Sequence, residues 1–233
     1  MFVPFCVAYS FQFRPLSVTL EPTGRAISTN YTVINDSSNR IAFQITILTR
    51  QIDIDGKETN AVVTNLFTVF PMQGILQPGQ RQTVRVIWRG PVNLTNELAF
   101  RILAEEIPVE TSQPQGPQDQ PIRTTIRMLT RYLCNIYVRP KGAKYNLEFS
   151  PLKRLEDGTY YLVITNTGTA RAYITNPKLT LIDRSGKSFS LDAQFLKPLE
   201  EVLILSAHAR RIILKLPEEF TEPEYNVELR FGE

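Results

Sequence analysis

Thr83-Val84-Arg85-Val86-Ile87-Trp88-Arg89 is the stretch that decides how this chain folds. Val84, Val86 and Trp88 alternate with Arg85, Ile87 and Arg89, a period of two that sends one set of side chains to each face of a strand. The same period returns in Phe43, Ile45 and Ile47 against Gln44 and Thr46. It returns again in Ile122, Thr124, Ile126 and Met128 against Arg123, Thr125 and Arg127. Tyr160–Ile164 and Arg211–Leu216 are apolar, β-branched runs of strand length. Long stretches of helical period are scarce. Asp55-Gly56, Pro78-Gly79, Asp157-Gly158 and Ser185-Gly186 separate the runs with residues that favour tight reversals. Many short strands, frequent turns and no interposed helices predict an all-β protein of sandwich type.

The length of 233 residues suits two domains of ordinary size. Arg139-Pro140-Lys141-Gly142-Ala143-Lys144 reads as a linker, giving a first domain over 11–138 and a second over 145–233. Residues 1–10 are apolar, uncharged and end Ala8-Tyr9-Ser10, which reads as the remnant of a secretory signal. Thr111–Pro121 is polar and proline-rich, the composition of a hairpin tip without a core of its own.

Composition narrows the function. Hydrophobic residues make up 42% and charged residues 21%, which supports a packed core and excludes a disordered chain. The net charge of +3, with no dense basic run, does not indicate nucleic acid. If Cys6 leaves with the signal, Cys134 has no partner and reads as a buried small hydrophobe. His208 is the one histidine; no GxSxG elbow, phosphate loop or metal-ligand spacing accompanies it. Glu105-Glu106 and Glu200-Glu201 are neighbours that a strand would point to opposite faces. The reading is of a protein that is not an enzyme, with no metal and no cofactor. A hydrolase built on His208 and a tandem Ig-like adhesion module working through loop tips are the other classes considered.

Several segments, in order, resemble the PapD-like periplasmic chaperones of chaperone–usher pilus systems. Leu76-Gln77-Pro78-Gly79-Gln80 with Thr83–Val86 is similar to the family's L-x-P-G turn and following strand. Glu97-Leu98-Ala99-Phe100 leading to Glu105-Glu106-Ile107-Pro108 is similar to its signature. Ile136-Tyr137-Val138-Arg139-Pro140 resembles the end of its donor strand, and Thr32-Val33-Ile34-Asn35 an early strand ending in Asn. Val163-Ile164-Thr165-Asn166 and the Arg210-Arg211 strand match more loosely. The resemblance implies two immunoglobulin-like sandwiches in a boomerang arrangement around a cleft. It also implies a function: stabilising pilin subunits in the periplasm by donor-strand complementation and delivering them to an outer-membrane usher.

The implied donor strand covers about residues 121–138, with Ile122, Thr124, Ile126 and Met128 as the subunit-binding face. Fully burying its three large apolar side chains would contribute about 5–9 kcal/mol before ordering costs. An ordinary internal strand shows the same pattern. In the family, cations on the first strand and near the end of the donor strand hold the subunit's terminal carboxylate; Ser17 and Asn135 stand at those positions here. That departure points to the archaic or alternative branch and leaves Arg85, Arg89 and Arg101 as candidate anchors, each also readable as a surface arginine. Glu97 and Arg139 match an interdomain ion pair of structural role. An unoccupied apolar donor edge further predicts self-association of the free protein.

Overall fold

The computed structural model describes residues 11–107 and 129–232. The signal-like start, the 111–121 tip and the run carrying Ile122, Thr124, Ile126 and Met128 lie outside the described residues. In chain order the strands of the first half are β1 (Gln12–Arg14), β2 (Ser17–Leu20), β3 (Ser28–Ile34), β4 (Ile41–Thr49), β5 (Gln51–Ile52) and β6 (Glu58–Thr59). There follow β7 (Phe67–Phe70), β8 (Gln73–Leu76), β9 (Arg81–Trp88), β10 (Leu98–Ile107) and β11 (Arg131–Val138). The fold is all-β, and the chain divides into two compact units.

The first unit comprises Met1–Thr49, Ala61–Val92 and Phe100–Tyr137. It holds a four-stranded sheet, β1-β3-β9-β7, and a five-stranded sheet, β2-β11-β10-β4-β8. The alternation seen in the sequence is the alternation of burial: Val84, Val86 and Trp88 are buried while Arg85 and Arg89 are exposed, and Phe43, Ile45 and Ile47 are buried on β4. Phe67, Trp88 and Phe100 meet edge-on or tilted at 5.0–5.9 Å, and Phe13 stacks on Tyr31 at 4.9 Å. Such ring pairs add to the burial of large apolar surface.

Asn35, fully buried at the end of β3, is satisfied on both ends of its amide. Its Nδ2 donates to the carbonyls of Leu76 and Asn39, and its Oδ1 accepts from Ser37. Its backbone exchanges bonds with Gly79 and Gln80. A turn with Gly79 at φ 75° is thereby tied to the sandwich.

The second unit comprises Arg50–Asn60, Asn93–Ala99 and Val138–Glu233. Its strands are β12 (Leu147–Phe149), β13 (Leu152–Arg154), β14 (Tyr160–Asn166), β15 (Ala172–Ile174), β16 (Lys178–Ile182), β17 (Ser188–Ser190), β18 (Val202–Ile204), β19 (Ala209–Leu214) and β20 (Glu224–Arg230). β14 pairs with β19 along one edge and with β12 and β13 along the other, and the sheet continues through β20, β16 and β17. β15 and β18 form a separate ladder. Leu152, Tyr160, Leu162, Ile164, Leu181 and Leu214 lie at the centre of the core. Asn166 does here what Asn35 does in the first unit: its Nδ2 reaches the carbonyls of Ala170 and Ile204, and its Oδ1 accepts from Asn146 and Gly168.

Two excursions from the first half of the sequence belong to this unit. The β5–β6 hairpin turns at Asp53–Lys57, where Asp53 Oδ1 caps the amides of Asp55 and Lys57. It docks on the start of β19 through Arg211 N–H to Ile54 O at 2.6 Å and Arg211 Nη1 to Asp55 Oδ1 at 3.3 Å. Gly56, at φ 90°, lies under the Arg210 guanidinium; a Cβ there would sit 2.2 Å from Nη2. The other excursion, 93–99, is held by Glu97 N–H to Thr169 O at 2.8 Å.

Candidate functional site

The site is built on β10 and β11, whose outward face is set by strand parity. Phe100, Ile102 and Ala104 are buried, so Arg101, Leu103 and Glu105 face away from the core. Cys134 and Ile136 are buried, so Arg131, Leu133 and Asn135 do the same. Glu106 N–H donates to Thr130 O at 3.1 Å and places the two strands antiparallel. In that register Glu105 meets Arg131 Nε at 2.9 Å, and Arg101 Nη1 donates to Asn135 Oδ1. The Arg131 side chain is 74% exposed, so its pair contributes little to stability. Leu129 and Leu133 are about half exposed where the strand begins.

β2 flanks β11 on its other side, and Asn135 N–H donates to Leu16 O at 2.9 Å. Ser17 and Asn135, the two positions that the family resemblance marks for cations, thus lie on adjacent strands, without charge on either. Arg101 places a guanidinium beside Asn135 from β10. Arg85 and Arg89 do not join this group. Arg85 is on β9 in the four-stranded sheet and Arg89 directly follows that strand, with Arg85 Nη2 3.4 Å from Ser28 Oγ and Arg89 Nε 3.0 Å from Thr68 Oγ1.

Behind this face lies the apolar core of the first unit. Cys134 is buried, which pushes its thiol up to about 11, with Arg101 pulling weakly the other way. Tyr31 is raised as well, first by burial and then by Cys134. Both groups are packing elements that stay protonated at neutral pH. In the second unit His208 sits in an exposed turn with Nδ1 2.8 Å from Ser206 O. Among the described residues no group of three or more His, Cys, Asp or Glu is placed to hold a metal. No helix of the described residues is long and apolar enough to cross a membrane.

The Glu97 side chain is 1% exposed and accepts from two arginines: Arg139 Nε, and Arg171 Nη1 at 2.7 Å. Arg171 also gives its backbone N–H to Glu97 Oε1. Sequence reading had paired Glu97 with Arg139 alone. Arg171 lies 74 residues away, and no local motif marks it.

The pattern of strands, turns and the Glu97–Ile107 segment coincides with a match to a family model. Residues 12–144 match that of the pili and flagellar-assembly chaperone, PapD N-terminal domain. The chain belongs to the PapD-like chaperone family. Its members are chaperones and not enzymes. No curated protein matches in sequence closely enough to count as a relative.

Among solved structures, this PapD-like chaperone is similar to the class 5 fimbriae chaperone CfaA, with a TM-score of 0.59 and 15% identity over 95% of this chain and 99% of that one. It is similar to a chain of the CsuC–CsuE chaperone–tip adhesion subunit pre-assembly complex, from archaic chaperone-usher Csu pili of Acinetobacter baumannii. There the TM-score is 0.56 at 13% identity over 87% and 89% of the chains. The E. coli chaperone DraB follows, with 0.54 and 20% identity over 91% and 86%. These likenesses carry the fold: two domains of the PapD-like chaperone type.

Proposed function

We propose that this pilus-assembly chaperone works in the periplasm. There it lends the segment leading into β11 to pilin subunits that lack a strand, then passes them to an outer-membrane usher. One observation carries the reading. The parity that buries Cys134 and Ile136 on β11 is, in the sequence, also the parity of Ile122, Thr124, Ile126 and Met128. The apolar series is thus longer than the described strand that uses it. An incomplete subunit exposes an apolar groove and unpaired backbone groups, and a strand with apolar side chains at every second position supplies both needs. The pre-assembly complex of CsuC with a tip adhesion subunit supports the same partner class.

Arg101 is the anchor this reading assigns to the subunit's terminal carboxylate. It is the guanidinium beside Asn135, and Arg forms strong charge-assisted bonds to carboxylates. The uncharged Ser17 and Asn135 support placement in the archaic or alternative branch. Glu97, with Arg139 and Arg171, has a structural role. Without a subunit, the donor segment pairs with a second copy of the chain.

Co-expression with a pilin subunit and co-purification of a 1:1 complex tests the assignment. Ile126→Asp and Met128→Asp are expected to abolish the complex while the far-ultraviolet spectrum and melting curve stay those of the parent. Normal capture by both variants sinks the donor assignment.

A further inference from the structure

The second unit contains a cavity of about 700 Å³ lined by Arg139, Lys144, Tyr145, Arg171 and Tyr173 together with two alanines. Its charge is uneven. Three cations line it, and the Glu97 carboxylate that engages both arginines is 1% exposed. The arginines keep part of their side chains in solvent, 36% for Arg139 and 20% for Arg171. Tyr145 and Tyr173 are about half exposed and form aromatic walls.

The walls are built rather than incidental. Lys144 O accepts from the amides of Thr169 and Ala170, and Asn146 O from that of Thr167. Gly168 approaches so closely that a Cβ on it would stand 2.3–2.6 Å from backbone atoms of Lys144, Tyr145 and Asn146. Tyr145 packs on Phe231 at 6.1 Å, and Tyr173 is fixed on β15 opposite Leu203. The backbone that carries these side chains is thus fixed before any ligand arrives, which lowers the cost of binding one.

We propose that this cavity is a binding site for an extended acidic peptide segment. It would take an Asp or Glu side chain on the Arg139–Arg171–Lys144 cluster and lay the adjoining residues on Tyr145 and Tyr173. The two arginines with Glu97 carry a net charge of +1. Lys144 brings the cluster to a net charge of +2, and the flat tyrosine faces suit peptide rather than a compact inorganic ion. Its lining residues belong to the second unit and Arg101 to the first, and the proposal does not depend on subunit capture.

The test uses the full chain, labelled with ¹⁵N, and a capped hexapeptide, acetyl-Ala-Asp-Tyr-Asp-Val-Ala-amide. Its counterpart carries Asn for both Asp residues. The acidic peptide is expected to shift the Nε–H signals of Arg139 and Arg171 and the amide signals of Tyr145 and Tyr173. The Asn peptide is expected to bind at least tenfold more weakly, as for lost bonds to a charged group. Lys144→Gln should weaken the acidic peptide about fivefold and Tyr173→Ala by a similar factor; both sites are exposed enough to leave the core intact. Equal binding of the two peptides overturns the proposal, as does no shift at these signals. It also fails if inorganic phosphate competes as well as the peptide at equal charge. A neutral peptide with a free C-terminus binding more tightly than the capped acidic one overturns the side-chain assignment. Because no pilin is present, loss of subunit capture in other variants leaves this result unaffected.

Discussion

Arg101 and Asn135 face each other across β10 and β11, the guanidinium Nη1 donating to the amide Oδ1. A neutral residue on β11 thus orients a cation that comes from the neighbouring strand, the proposed anchor for a subunit's carboxylate. Arg101→Gln is expected to weaken subunit capture by about 10- to 100-fold, the range for losing bonds to a charged group. Asn135→Lys in that background should restore much of it. Titration calorimetry with a subunit, or with its C-terminal peptide, reads both. Unchanged affinity in Arg101→Gln removes Arg101 from the anchor.

Glu97 holds Arg139 and Arg171 from an almost fully buried position. Glu97→Gln leaves two cations without their counter-charge, and breaking such a pair from one side costs about 3 kcal/mol. Urea unfolding followed by circular dichroism should show the second unit losing that much. The loss should change little between low and moderate salt, because the carboxylate is screened from solvent.

Trp88 is the sole tryptophan and lies in the core of the first unit. Its fluorescence therefore reads that unit, whereas circular dichroism reads both. Leu162→Ala, in the other core, is expected to cost about 2–5 kcal/mol. It should move the dichroism transition to lower urea and leave the fluorescence midpoint where it was. Phe43→Ala should lower the fluorescence midpoint together with the first unit's share of the dichroism change. Coincident transitions in every variant would mean that the two units unfold as one.

Burial raises the Cys134 thiol from 9.0 to about 11. The unfolded chain therefore gives up this proton at lower pH than the folded one. The contribution is fully present below pH 9 and is lost as pH rises from about 9 to about 11. Cys134→Ala should remove the decline between pH 9 and 10 and make it shallower above, where Tyr31, also raised by burial from 10.0, contributes its own. Native protein should react with a thiol reagent only slowly, and at full stoichiometry once denatured.

How much of this was legible beforehand follows from the range of each interaction. The alternation in Thr83–Arg89 is local, and burial on β9 obeys it residue by residue. The glycines of Asp55-Gly56, Pro78-Gly79, Asp157-Gly158 and Ser185-Gly186 all adopt the positive φ that their turns require. The order of the motifs from Thr32 to Pro140 was enough to suggest the family. What stayed hidden depends on contacts distant in sequence. Arg171 reaches Glu97 only because 93–99 runs beside 169–171. Arg101 could be named but not separated from Arg85 and Arg89 until the register of β10 on β11 was known. Nothing local in 50–60 announces that this hairpin packs with residues near 210.

That hairpin has an evolutionary corollary. Gly56 is at φ 90°, a conformation that favours glycine, and a Cβ on it would also meet the movable end of Arg210. A larger residue there must both strain the turn and displace that guanidinium. Descendants that acquire a bulkier residue at 56 should have shortened the side chain at 210, and lineages retaining the glycine should retain the long cation. Paired substitution at these two positions, rather than the identity of either, is the footprint to look for as sequences accumulate.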